Sequence, residues 1–121
     1  MEIIQKTDYW VNNIKYYYYE ANTGYSGSYK GMRYRISTNW GEQGLAIDLF
    51  DTKNAGYLEK TTLIVNSWPE PFCYDYTRKN RYEVISTIEL PFTDEGLETA
   101  RQWINNKYDE RKREFDEARR Q

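Results

Sequence analysis

The sequence predicts an α+β fold: an antiparallel sheet of about five to seven strands with one long C-terminal helix packed on one face. Apolar and polar residues alternate at period two in several short runs before Pro91, and after Pro91 the period lengthens to that of a helix. All three prolines fall within residues 69–91 and no low-complexity linker occurs, so 1–121 reads as a single domain, with 1–91 mainly sheet and 93–118 helix.

The first expected strand starts at Ile14. Asn12-Asn13 can take positive φ angles between the run ending at Val11 and the run Ile14-Lys-Tyr-Tyr-Tyr-Tyr19, which predicts a tight hairpin. In such a strand Ile14, Tyr16 and Tyr18 share one face and Lys15, Tyr17 and Tyr19 the other. A glycine- and serine-containing loop follows over 22–31. Strands are then expected at Met32, Tyr34, Ile36 (against Arg33, Arg35, Ser37), at Leu45, Ile47, Leu49, at Leu63, Val65, and at Tyr82 to Leu90. Residues 39–44 and 54–56 read as turns, and Trp68-Pro-Glu-Pro-Phe72 as an edge or crossing segment, since proline donates nothing to a ladder.

The helix has a clear start. Thr93 is placed to cap it, Asp94 and Glu95 suit its positive end, and Phe92 can staple against Leu97. Leu97, Ala100, Ile104, Tyr108, Arg111 and Phe115 form one stripe, with Trp103 beside it and expected in the core. Beyond Tyr108 the chain is nearly all charge, which predicts pairs Asp109 with Arg113 and Lys112 with Asp116 and an end that projects into solvent or meets a partner.

Composition sets the class. Thirteen tyrosines, four tryptophans and four phenylalanines in 121 residues of mean hydropathy -1.00 mean that aromatic volume replaces aliphatic volume in the core. A net charge of -2 gives no overall attraction to phosphate backbones. Five acids and no base lie between Glu83 and Ala100, whereas Lys30, Arg33, Arg35 and Arg78, Lys79, Arg81 form two basic clusters. The single Cys73 can close no intrachain disulfide and is expected as a small buried or half-buried hydrophobe in a reducing compartment. No window approaches a membrane span, and the location expected is cytoplasmic.

The chemistry expected is correspondingly narrow. With no histidine, the chain lacks the commonest general base and metal ligand, so serine triads, cysteine–histidine dyads and histidine metal sites are excluded. The spaced glycines of Gly24 to Gly31 lack the context of a phosphate loop. Asp48 and Asp51 with Lys53 could suggest a magnesium site, but a separation of three residues puts the two acids on opposite strand faces. No catalytic, cofactor or metal residues are assigned, and the protein is expected not to be an enzyme.

What remains is binding. Tyr17 and Tyr19, flanked by Arg33 and Arg35, with Tyr25 and Tyr29 on the following loop, have the composition of an interface hot spot, and Arg111 and Arg113 extend it to the helix end. The alternative is a stacking platform for single-stranded nucleic acid, with Lys15 and Lys30 near enough to neutralise phosphates.

Trp68-Pro-Glu-Pro-Phe-Cys-Tyr74, the basic turn Thr77-Arg-Lys-Asn-Arg81 and Pro91-Phe-Thr-Asp-Glu-Gly-Leu-Glu-Thr-Ala-Arg-Gln-Trp-Ile104, on a chain of this size and polarity, resemble small accessory proteins of phages and other mobile elements. These include the anti-CRISPR and other anti-defence proteins. The resemblance implies a non-enzymatic inhibitor that binds a host protein or nucleoprotein complex, such as a nuclease with its guide; it transfers no residue roles.

Overall fold

The computed structural model of the protein describes residues 2–5, 9–21, 24–41 and 46–119. Four strands form one antiparallel sheet in sequential order: β1 (Tyr25–Tyr29), β2 (Met32–Thr38), β3 (Thr62–Pro69) and β4 (Ser86–Pro91). Among the described residues five α-helices accompany them: α1 (Ile14–Ala21), α2 (Ala55–Glu59), α3 (Tyr74–Asn80), α4 (Asp94–Glu110) and α5 (Lys112–Arg119). The α+β class is therefore as the sequence reads, and the sheet is narrower than the expected five to seven strands.

The largest correction lies in the tyrosine run. Ile14 to Ala21 is a helix, because Ile14, Tyr17 and Tyr18 recur at the spacing that puts them on one helical face. Asn13, expected in a hairpin, caps it: its Oδ1 accepts from Tyr16 N at 3.1 Å and its carbonyl from Tyr17 N at 2.9 Å. The Asp94 carboxylate accepts from Ile14 N at 2.7 Å, tying the start of α1 to the start of α4. The strand expected over 45–49 is also absent where the structure describes it: 46–50 is irregular, and Leu45 lies outside the described residues.

Within the loop expected over 22–31, Tyr25–Tyr29 is a strand, with Tyr25, Gly27 and Tyr29 on one face and Ser26 and Ser28 on the other. Lys30 and Gly31, with φ of 45° and 91°, make the two-residue turn that joins it to β2, both residues left-handed as a tight hairpin twist requires. Pro69 ends β3 beyond the last pair with β4, Ser67 with Ser86. Glu70 N donates to Gly31 O at 2.9 Å, so the nitrogen of Pro69 faces the side that β4 has already left. Tyr82–Val84 is a 3₁₀ turn rather than the start of β4, and 54–56 leads into α2 instead of turning.

Register divides the sheet into two unlike faces. Tyr25, Gly27, Tyr29, Met32, Tyr34, Ile36, Leu63, Val65, Ile88 and Leu90 point one way and meet Leu97, Ala100, Ile104 and Tyr108 of α4. Gly27 is required where it stands, because a β-carbon there would lie 2.4 Å from the Tyr34 hydroxyl. The opposite face carries Arg33, Arg35, Ser37, Ile64, Asn66, Trp68, Thr87 and Glu89. α3 packs over it through Trp68 and Tyr74, with ring centroids 5.4 Å apart.

The C-terminal helix starts as expected: Thr93 Oγ1 accepts from Gly96 N at 3.0 Å, and Phe92 and Leu97 are both buried. It is broken at Arg111 (φ -119°, ψ 22°) into α4 and α5. The charged end does not project freely. Phe115 is fully buried and stacks 6.2 Å from Tyr108, and a β-carbon on Gly31 would lie 2.0 Å from Phe115 O. The ion pairs formed are Lys107 with Glu110, Arg111 with Glu114 and Arg113 with Glu117, in place of the two expected from spacing alone. Trp103 is half-buried, with Lys107 over its ring.

Candidate functional site

The residues expected to form one contact face are dispersed. Tyr17 is fully buried, its hydroxyl donating to Ile36 O at 2.6 Å, and burial pushes that phenol far above its ordinary range. Tyr25 and Tyr29 are half-buried on the helix side of β1, in ring contact with Trp10 and Tyr108. Arg111 is tied down, donating to Val84 O, Ser86 Oγ and Glu114 and lying over the Phe115 ring. Its proximity holds the Glu114 carboxyl below the usual range. Of the expected set Tyr19 and Arg113 are exposed, and they sit on different helices. Among the described residues the sheet's tyrosines, Tyr25, Tyr29 and Tyr34, lie on the core side of the sheet and form no open stacking face.

Asp48 and Asp51 are each used locally. Asp48 accepts from Phe50 N at 2.9 Å and from the Tyr19 hydroxyl at 2.8 Å, and these two bonds, the backbone one foremost, hold its carboxyl below the ordinary value. Asp51 accepts from Lys53 N at 3.1 Å. Among the described residues no three acidic, cysteine or histidine side chains converge as a metal site would need.

Two expected residues do share a place: Arg33 and Arg35, on the polar sheet face. Arg35 is 8% exposed and its guanidinium lies 4.8 Å above the Tyr74 ring. Between α3 and the end of the β2–β3 pair runs a groove of about 530 Å³, lined by Arg35, Ser37, Ile64, Asn66, Tyr74 and Arg78 together with the turn 38–41. Asn66, 2% exposed, sits opposite Arg35 in the strand register and donates through Nδ2 to Thr87 Oγ1 at 2.9 Å. Its Oδ1, like Arg33 Nε, is buried with no partner.

The outer surface of α3 was not expected from the sequence. Phe72 and Tyr76, 38% and 46% exposed, pair with ring centroids 4.3 Å apart, and Tyr82 follows at 73%. Arg78 and Lys79 are exposed on the same short helix, and Cys73, expected buried or half-buried, is exposed at its start. Trp68 Nε1 donates to Phe72 O at 2.8 Å, which anchors the segment to the sheet, and Thr77 Oγ1 donates to Cys73 O at 2.8 Å within the first turn of α3. The available signal was Asp75 in the first turn with Arg78 and Lys79 in the last, the charge order a helix dipole favours. Among known proteins, no family model, no curated protein and no solved structure matches the chain.

Proposed function

We propose that the protein acts by binding rather than turnover, as an interaction module of the kind mobile elements use to inhibit a host nucleic-acid-handling enzyme, with the outer surface of α3 as its contact face. The observation that carries this reading is the exposed aromatic set Phe72, Tyr76 and Tyr82 beside Arg78 and Lys79. Aromatic and arginine side chains supply most interface hot spots, and burying one large apolar side chain is worth about 1.5–3 kcal/mol. The Phe72–Tyr76 pair is already ordered, so less side-chain freedom is lost when a partner covers it. The partner class comes from the resemblance to anti-defence inhibitors, and the contact face from the geometry.

The test is capture from host lysate with tagged wild type and with the Phe72→Ala/Tyr76→Ala double variant, before and after nuclease treatment. A protein retained by wild type after nuclease and lost by the folded variant is expected. A partner held equally by the variant removes this face, and loss of every partner on nuclease treatment replaces the protein-binding reading with a nucleic-acid one.

A further inference from the structure

We propose that the groove between α3 and the β2–β3 end of the sheet binds a small organic phosphate of nucleoside monophosphate size. This goes beyond the partner-binding role and shares only Arg78 with it; Arg35, Asn66 and the rest of the groove lining are distinct from that face.

Charge is the first ground. Arg35 and Arg78 line the groove and, among the described residues, no Asp or Glu does, although the protein as a whole carries a net charge of -2. An oxyanion entering there meets guanidinium groups that can bind it through paired, charge-assisted hydrogen bonds. Arg35, almost fully buried and held over the Tyr74 ring, presents its cationic group in a fixed place.

Asn66 is the second. A buried carbonyl oxygen with no partner is unfavourable by about 1–3 kcal/mol, and a ligand that donates to it relieves this. Because Nδ2 is turned to Thr87 on β4, Oδ1 lies on the β2 side, toward Arg35. The Thr87 hydroxyl can both donate and accept, so the amide can also turn over, keep that bond and present Nδ2. The atom is closed to solvent, so engaging a ligand requires the Asn66 side chain to rotate toward the groove that it lines. Inorganic phosphate can occupy the arginines or donate its remaining proton to Oδ1, whereas a nucleotide places its phosphate on the arginines and supplies a separate donor from its nucleobase or sugar edge to Oδ1.

Size and lining are the third. A space of about 530 Å³ far exceeds an inorganic phosphate, lies within the usual range for small-molecule sites, and has Ile64 and Tyr74 as apolar surface for a flat organic body.

The experiment is amide-shift NMR and calorimetry on the full chain with AMP, UMP, adenosine and inorganic phosphate. Both nucleotides are expected to shift Arg35, Ser37, Asn66 and Arg78, with adenosine and phosphate each weaker by about tenfold or more. Arg78→Ala, on an exposed helical position, is expected to lower nucleotide affinity about tenfold without changing the thermal midpoint. Asn66→Asp, which puts a carboxylate beside the phosphate, is expected to abolish binding; if it fails to fold, Arg78→Glu takes its place. No shift with either nucleotide at millimolar concentration, equal binding of inorganic phosphate, or unchanged affinity in Arg78→Ala overturns the proposal. Because no cell partner is involved, failure here leaves the α3 contact face untouched, and the reverse also holds.

Discussion

The Tyr17 phenol is held inside the fold by a single short bond to Ile36 O, with its ring against Trp10. Tyr17→Phe removes that bond while keeping the ring, and is expected to cost about 1 kcal/mol by urea denaturation. Burial also raises the Tyr34 phenol to about 12 from an ordinary 10.0. Folding thus favours the protonated form of both tyrosines. Their contribution is complete below the unfolded value near 10 and is lost as pH rises through the folded ones, so the thermal midpoint should hold to about pH 10 and fall above it. Tyr17→Phe should blunt that fall, and a midpoint independent of pH over this range would contradict the assignment. Asn13→Ala tests the cap of α1, with an expected loss of about 1 kcal/mol. Asn13 also explains why the run was misread. Asparagine serves a turn and a cap alike, and four consecutive tyrosines satisfy period two and period 3.6 equally, so Ile14 and the cap were the deciding signals.

At the scale of elements, α4 was legible because its cap, first-turn acids and apolar stripe agree, whereas β1 was hidden by serine and glycine, which carry no apolar alternation of their own. The β1 signal lay in Tyr25 and Tyr29, two tyrosines of equal parity around a glycine that Tyr34 covers. The α5 segment was misjudged through its charge: one fully buried residue, Phe115, fixes it to the core, and its neighbours are exposed or half-buried. Phe115→Ala is expected to cost about 3–5 kcal/mol and to lower helical circular dichroism as α5 loosens. Gly31→Ala combines a left-handed φ of 91° with a β-carbon 2.0 Å from Phe115 O, and should be at least as damaging in thermal melts. If Gly31→Ala melts like wild type, α5 does not dock there.

For the whole molecule, the sheet's two faces divide the work. One holds the aromatic and aliphatic core under α4, and the other holds arginines, Asn66 and Trp68 beside the short helix α3. The alternation that marks these faces was readable in Met32 to Ser37, and with it the placement of Arg33 and Arg35 away from the core. The companion residues were not, because Asn66 meets Arg35 only through strand register and Tyr74 only through α3, relations that no local pattern encodes. No helix among the described residues is long and apolar enough to cross a membrane. The docking of Phe115 on the Lys30–Gly31 turn has a consequence in time. It joins the first hairpin to the last helix, so it closes one of the longest loops in the chain and must form late, after the turn it rests on exists. Amide exchange at Met32 and at Phe115 should therefore slow together during refolding, after the centre of α4 is already protected.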